Sequence, residues 1–135
     1  MPAVSVIIPC YNQGAFIKEA VDSVLAQTFQ DFEIIIVNDG SSDAKTNEFL
    51  SNFTAPKTTV LSLAENQGPS VARNVAIKAA KGKYILPLDA DDKIAPTYLE
   101  KAFNVLEQNI SVGIVYCKAN LDIWLEKRLQ NSGEE

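Results

Sequence analysis

The chain contains no histidine. Serine–histidine and cysteine–histidine nucleophile pairs are therefore closed to it, as are imidazole metal sites, and its chemistry must rest on carboxylates, lysine, tyrosine or a bound cation. Positive charge is also scarce: 12 Lys and Arg stand against 17 Asp and Glu, a net charge of −5. Nonspecific nucleic-acid binding needs a Lys/Arg surplus to neutralise phosphates, so no nucleic-acid partner is expected. A small anion remains open to it, held by backbone amides, an arginine and a metal. No apolar run approaches the ~20 residues of a membrane span, and no basic segment precedes an apolar stretch at the N-terminus. Only two cysteines occur, Cys10 and Cys117, both in or at the end of apolar strand-like runs. They read as reduced core thiols, and the expected location is cytoplasmic, with attachment to the cytoplasmic face of a membrane left open.

What is present suits one folded domain. A chain of 135 residues buries roughly two thirds of its unfolded surface, enough to fold without disulfide or metal staples. A hydrophobic fraction of 47% with 21% charged residues is that of a globular protein. Apolar runs of strand length alternate with helical patterns, the signature of an α/β layered unit with a mostly parallel sheet. Strands are expected at 4–8, 32–37, 58–63 (near an edge), 84–88 and 112–117. Helices are expected at 14–28, from 44 to about 53, at 69–81 and from Pro96 to about 108. The first helix sets Phe16, Ile17, Ala20, Val21, Val24 and Leu25 on one face, with Lys18, Glu19 and Asp22 opposite. Pro69 suits a first helical turn and Gly82 a helix C-terminus. An apolar stripe at 121, 124, 125 and 129 reads as an amphipathic helical tail over 119–135, after a main domain at 1–118.

The polar clusters are the informative part. Residues 9–13, 38–43, 65–70 and 89–92 each follow a strand and precede a helix. Parallel sheets bind ligands outside the carboxyl ends of their strands, so topology brings all four to one rim. Asp89, Asp91 and Asp92 put three carboxylates into four residues. Like charges crowd at a cost unless something positive lies among them, and a hard divalent cation shared with substrate phosphates answers that need; a solvated acidic turn is the plainer alternative. Asp39, acceptor-only when ionised, can take the imino N–H of uracil, thymine or guanine, or can cap a turn. Tyr11 can lay its ring on a base or serve as a partly buried structural tyrosine. Arg73, one turn into a helix that starts at the same rim, suits phosphate or the aspartates, or plain solvent. Asn66, Gln67 and Gly68 shape the loop before it, and Gly68 also fits as a turn glycine.

Taken in order, the segments VSVIIPCYN at 4–12, IVNDGSSD at 36–43, NQGPSVARN at 66–74 and LDADD at 88–92 resemble the successive motifs of family 2 glycosyltransferases of the GT-A fold. The resemblance covers residues 3 to about 118. It implies a Rossmann-like three-layer α/β/α domain that binds a nucleoside-diphosphate sugar, most often UDP-linked, with Mg²⁺ or Mn²⁺ as cofactor. It further implies an inverting, metal-dependent transfer to an unknown acceptor. By position, Pro9, Tyr11 and Asp39 would hold the base, and Asn12, Asn66 and Gly68 would also bind the donor nucleotide. Arg73 would lie by base and diphosphate, Asp89 and Asp91 would reach ribose and metal, and Asp92 would supply another metal oxygen. Family members continue past this length and supply the acceptor side and its base, whereas this chain stops at Glu135. The expectation is therefore a donor-binding half, inactive alone and without its catalytic base. Two rival readings are a haloacid-dehalogenase-like phosphatase, disfavoured by Lys93 two places after Asp91 and by the late position of the pair, and a noncatalytic nucleotide-binding or protein-interaction module. Exposed apolar surface would favour self-association of such a module.

Overall fold

The structure, a computed structural model, describes residues 1–115. A first compact unit runs from Met1 to Pro96 and a second begins at Thr97. The first contains strands β1 (Val4–Cys10), β2 (Phe32–Asn38), β3 (Thr58–Ser62) and β4 (Tyr84–Pro87), with helices α1 (Gly14–Leu25), α2 (Ala44–Asn52) and α3 (Pro69–Ala79) between them. The strands form one parallel sheet in the order β3-β2-β1-β4, so β3 is the expected edge. Chain order runs outward from β1 to β3 and then returns to the far side of β1. Right-handed crossovers put α1 and α2 on one face and carry α3 back across the other. In agreement, α1 meets α2, while α3 packs on β1 and β2.

β1 and β2 form the core because both of their faces are covered. Ile7, Ile35 and Val37 point toward α3 and pack with Ala72 and Ala76. Alternation turns Val6, Ile8, Ile34 and Ile36 to the opposite face, where they are also fully buried. Pro9 is carried inside β1 without a lost ladder bond. Cys10 O accepts from Asp39 N on the β2 side and Ile7 O from Leu88 N on the β4 side. Alternation therefore points the position of Pro9 toward β4, whose pairing with β1 ends at Ile7, and no donor is needed there.

Several boundaries differ from the expectation. α1 stops at Leu25, after which Gln27 and Gln30 bond back to carbonyls at its end. α3 begins with Pro69 in its first turn as expected, but it ends at Ala79 with Ala80 already extended. Gly82 is thus not a helix terminator. A Cβ there would meet Ser5 N at 2.6 Å, because the 81–82 turn lies against β1 and β2: Gly82 N donates to Ser5 Oγ and Lys81 N to Glu33 Oε2. In the second unit α4 (Tyr98–Gln108) begins after Thr97, two residues beyond Pro96. Residues 112–115 are not a strand; the remainder of the fifth expected strand, Cys117 and the 119–135 tail lie outside the described residues. Among the described residues no helix is long and apolar enough to cross a membrane.

Candidate functional site

The four polar clusters meet the expectation of position: each leaves the carboxyl end of a strand. Strand order reverses between β1 and β4, so the ends of these two strands flank the crevice where α/β sheets take ligands.

At the end of β2, Asp39 is 2% exposed. Its Oδ1 accepts from Gln67 N at 2.8 Å, and its Oδ2 from Gly68 N and Asn66 Nδ2, both at 3.0 Å. Three of about four lone-pair directions of the carboxylate are therefore taken by the 66–68 loop. Gly40 lets this happen. It has φ +58°, and a Cβ would lie 2.1 Å from Glu65 C and 2.3 Å from Asn66 N, so no side chain fits between β2 and the loop. Gly68 is different: its φ of +96° favours glycine, yet the space about it is open. It is the N-cap of α3 and offers no side chain as a cap.

At the end of β1, Asn12 takes the left-handed conformation (φ 57°) and joins the first two loops. Its Oδ1 accepts from Ser42 N and Asp43 N, each at 2.9 Å, its Nδ2 donates to Ser42 Oγ, and its own N–H donates to Ser41 Oγ. Both ends of the amide are thus committed inside the protein. The Tyr11 hydroxyl lies 3.4 Å from Ser42 Oγ and the residue is 42% exposed, leaving a ring available at the rim. Asp43 caps α2, accepting from Thr46 N and Thr46 Oγ1. These bonds hold its carboxyl below the ordinary range, the hydroxyl being the largest cause. Thr46 Oγ1 also accepts from Gly14 N at the start of α1.

After β4 the pattern inverts. Leu88 and Ala90 are buried, and their neighbours Asp89 and Asp91 are exposed, with Asp92 intermediate. The Asp89–Asp92 turn is closed by Asp92 N donating to Asp89 O. One carboxylate oxygen from each aspartate lies within 4.8 Å of the others. Two oxygens on opposite sides of a Mg²⁺ ion lie about 4.2 Å apart at the usual coordination distance, so modest side-chain rotations would bring the three to one ion. Burial, then the charges of Asp89 and Asp91, push the Asp92 carboxyl up: negative charge is in excess. The donor set, all hard oxygen, fits Mg²⁺ or Mn²⁺. Arg73 Nη2 donates to Asp89 Oδ1 at 3.3 Å.

The residues thus gather into two groups. Asp39, Asn66 and Gly68 form one, Arg73 with Asp89, Asp91 and Asp92 the other, and α3 connects them because Gly68 caps it and Arg73 lies one turn within it. Pro9 sits in β1 beside Val37, and Tyr11 and Asn12 join the 41–43 loop. Gly40, Ser41 and Ser42 entered the sequence reading only as part of the 38–43 cluster, with no role of their own. The signal available was Gly40 directly after Asp39, since glycine alone permits a positive φ and close backbone approach at no steric cost.

The glycosyl transferase family 2 model matches residues 5–131. An uncharacterised glycosyltransferase of Haemophilus influenzae is 39% identical over 111 residues, covering 81% of this chain and 44% of that protein. The uncharacterised glycosyltransferase EpsJ of Bacillus subtilis is 40% identical over 118 residues, 87% of this chain and 34% of the relative. The chain therefore spans less than half the length of these curated relatives. Among solved structures, S. aureus TarS 1-349 in complex with UDP-GlcNAc superposes with a TM-score of 0.76 at 31% identity, over 87% of this chain and 34% of that one. A mannosyltransferase from Pyrobaculum calidifontis, in complex with GDP-Man and Mn²⁺, gives a TM-score of 0.76 at 27% identity, over 88% of this chain and 36% of that one.

Proposed function

The chain belongs to glycosyl transferase family 2, and from that premise we propose that its strand-end rim binds a nucleoside-diphosphate sugar, with uridine as the base, for inverting transfer to a hydroxyl acceptor. The observation that carries the reading is the convergence of three aspartate oxygens within 4.8 Å beside an arginine on the helix whose cap Asp39 holds. Solved relatives bound to UDP-GlcNAc and to GDP-Man with Mn²⁺ support it.

In this reading Asp91 and Asp92, with Asp89, hold Mg²⁺ or Mn²⁺. An ion held by these residues would supply Lewis-acid stabilisation of the charge on the departing diphosphate. Tyr11 offers its exposed ring to the base, and Asp39 keeps one lone-pair direction beyond the three the loop takes, which the imino N–H would fill. Asn12 and Asn66 act through the loops they fasten, fixing Pro9, Tyr11 and the Gly68 backbone. The open space at Gly68 lets the diphosphate approach the first turn of α3, where N–H groups and the helix dipole favour an anion. In the transfer the acceptor oxygen forms a bond to the anomeric carbon as the bond from that carbon to the diphosphate oxygen breaks. The acceptor proton goes to a base supplied from outside this donor site, since Asp39 is committed to the loop and the other three aspartates to the cation.

The test is calorimetric titration of the chain with UDP, GDP and ADP, each with and without Mn²⁺, and again with Asp91→Ala. UDP binding that requires Mn²⁺ and disappears in the variant is expected. Equal binding of ADP, or binding indifferent to Asp91, would sink the proposal. A nucleotide-binding module without chemistry would bind UDP yet fail to transfer sugar even when joined to an acceptor-binding region.

A further inference from the structure

Two acidic groups at the rim are bound with very different firmness, and Arg73 belongs to the weaker arrangement. The Asp39 carboxylate has three donors at 2.8–3.0 Å in a buried place. Arg73 holds Asp89 by one bond of 3.3 Å, with the two side chains 37% and 58% exposed. A single long bond between exposed partners contributes little and exchanges readily. The carboxylate that Arg73 touches is also one of the three whose oxygens converge. A guanidinium and a divalent cation cannot both occupy the same side of that carboxylate without repelling each other.

We infer that Arg73 competes with a divalent cation for Asp89, and that this competition couples the cation to the diphosphate. The inference rests on the donor-site reading above. When a cation holds Asp89, Arg73 gives up its bond there. Its side chain, rooted one turn from the Gly68 cap, is then free to donate to phosphate oxygens arriving at the start of α3. Arg73 thereby opposes the cation when no nucleotide is bound and assists it when one is. Coupling of this kind is reciprocal: whatever the cation does for the nucleotide, the nucleotide does for the cation.

The test measures Mn²⁺ binding directly, by the electron paramagnetic resonance signal of free Mn²⁺, with no turnover required. Wild type, Arg73→Gln, Arg73→Ala and Arg73→Lys are titrated with Mn²⁺ alone and again with saturating UDP. Removing the competing charge should tighten Mn²⁺ binding in Arg73→Gln and Arg73→Ala by about two- to tenfold without nucleotide. The further tightening that UDP gives wild type should shrink in both. Arg73→Lys, which keeps the charge, should restore the wild-type affinity for Mn²⁺ alone. Unchanged or weaker Mn²⁺ binding in both neutral variants, with wild type still binding Mn²⁺ in the presence of UDP, would overturn the competition and leave the donor site standing. A wild type that takes no Mn²⁺ with or without UDP would overturn both.

Discussion

Asp39 at the end of β2 and the Asp89–Asp92 turn after β4 are both acidic, both on one rim and about equally conspicuous as residues, yet the fold treats them in opposite ways. Asp39 is buried and surrounded by donors from the 66–68 loop. The three aspartates after β4 have mainly one another for company, with Arg73 reaching one of them. A buried carboxylate with its partners in place contributes to the architecture; an exposed group of like charges is destabilising until a cation arrives. The acidic residues of the rim thus divide into Asp39, most of whose acceptor capacity holds a loop, and three aspartates whose carboxylates lie chiefly against one another.

The sharpest way to break this comparison is to mutate one member of each kind. Asp39→Ala removes the buried acceptor that the Gln67 and Gly68 N–H groups share, and a loss of about 1–3 kcal/mol in unfolding free energy is expected by urea denaturation. Nucleotide binding should fall with it. Asp91→Ala should do the reverse: stability equal to or slightly above wild type in the same denaturation experiment, with Mn²⁺-dependent UDP binding reduced by about a hundredfold or more, out of calorimetric reach. Two variants with the same profile would erase the distinction.

A smaller effect separates caps from ligands by pH. The bonds from Thr46 hold the Asp43 carboxyl below the ordinary carboxylate range. A carboxyl depressed in the folded state stabilises above its unfolded value, and that contribution is lost as pH falls through the lowered one. Asp43→Ala should therefore melt below wild type at neutral pH, with the gap closing as the pH is taken below the carboxylate range. The Asp92 carboxyl, pushed up by burial and by Asp89 and Asp91, has the opposite sign. Its charge costs stability above the ordinary carboxylate range, so Asp92→Asn should melt slightly above wild type at neutral pH and match it in acid. The smallest change is expected for Ser42→Ala, which removes exposed partners of Tyr11 and Asn12 while the backbone bonds of Asn12 remain; thermal melts should move within about 0.5 kcal/mol of wild type.

The sequence made the aspartates after β4 legible and hid the way Asp39 is used. Three carboxylates in four residues after an apolar strand are visible in a line of text. The partners of Asp39 lie 27–29 residues away, and two of them are backbone N–H groups that every residue but proline carries. Parallel pairing alone brings them together, so no spacing announced that the carboxylate would be nearly saturated. Strand and helix order could be read because β1 and β2 are apolar on both faces, and Pro69 marked the start of α3 by its fixed backbone angle. Gly82 was noticed for the wrong property: it serves close approach to Ser5, a tertiary fact, where local patterning suggested a helix end. Residues 112–115 carry the apolar pattern of a strand without being one, since strand identity requires a neighbour to pair with and pattern alone supplies none.

In the proposed donor site the Asp89–Asp92 turn and the cap of α3 act as one cation and diphosphate site. Paramagnetic broadening tests it most directly: amide resonances of the chain are followed as a trace of Mn²⁺ is added with UDP present. Broadening centred on residues 89–92 and extending to Gly68 and Arg73, reversed by chelation and absent in Asp91→Ala, is the expected result. Broadening that persists in Asp91→Ala, or that centres on other acidic residues and spares 89–92, would contradict it.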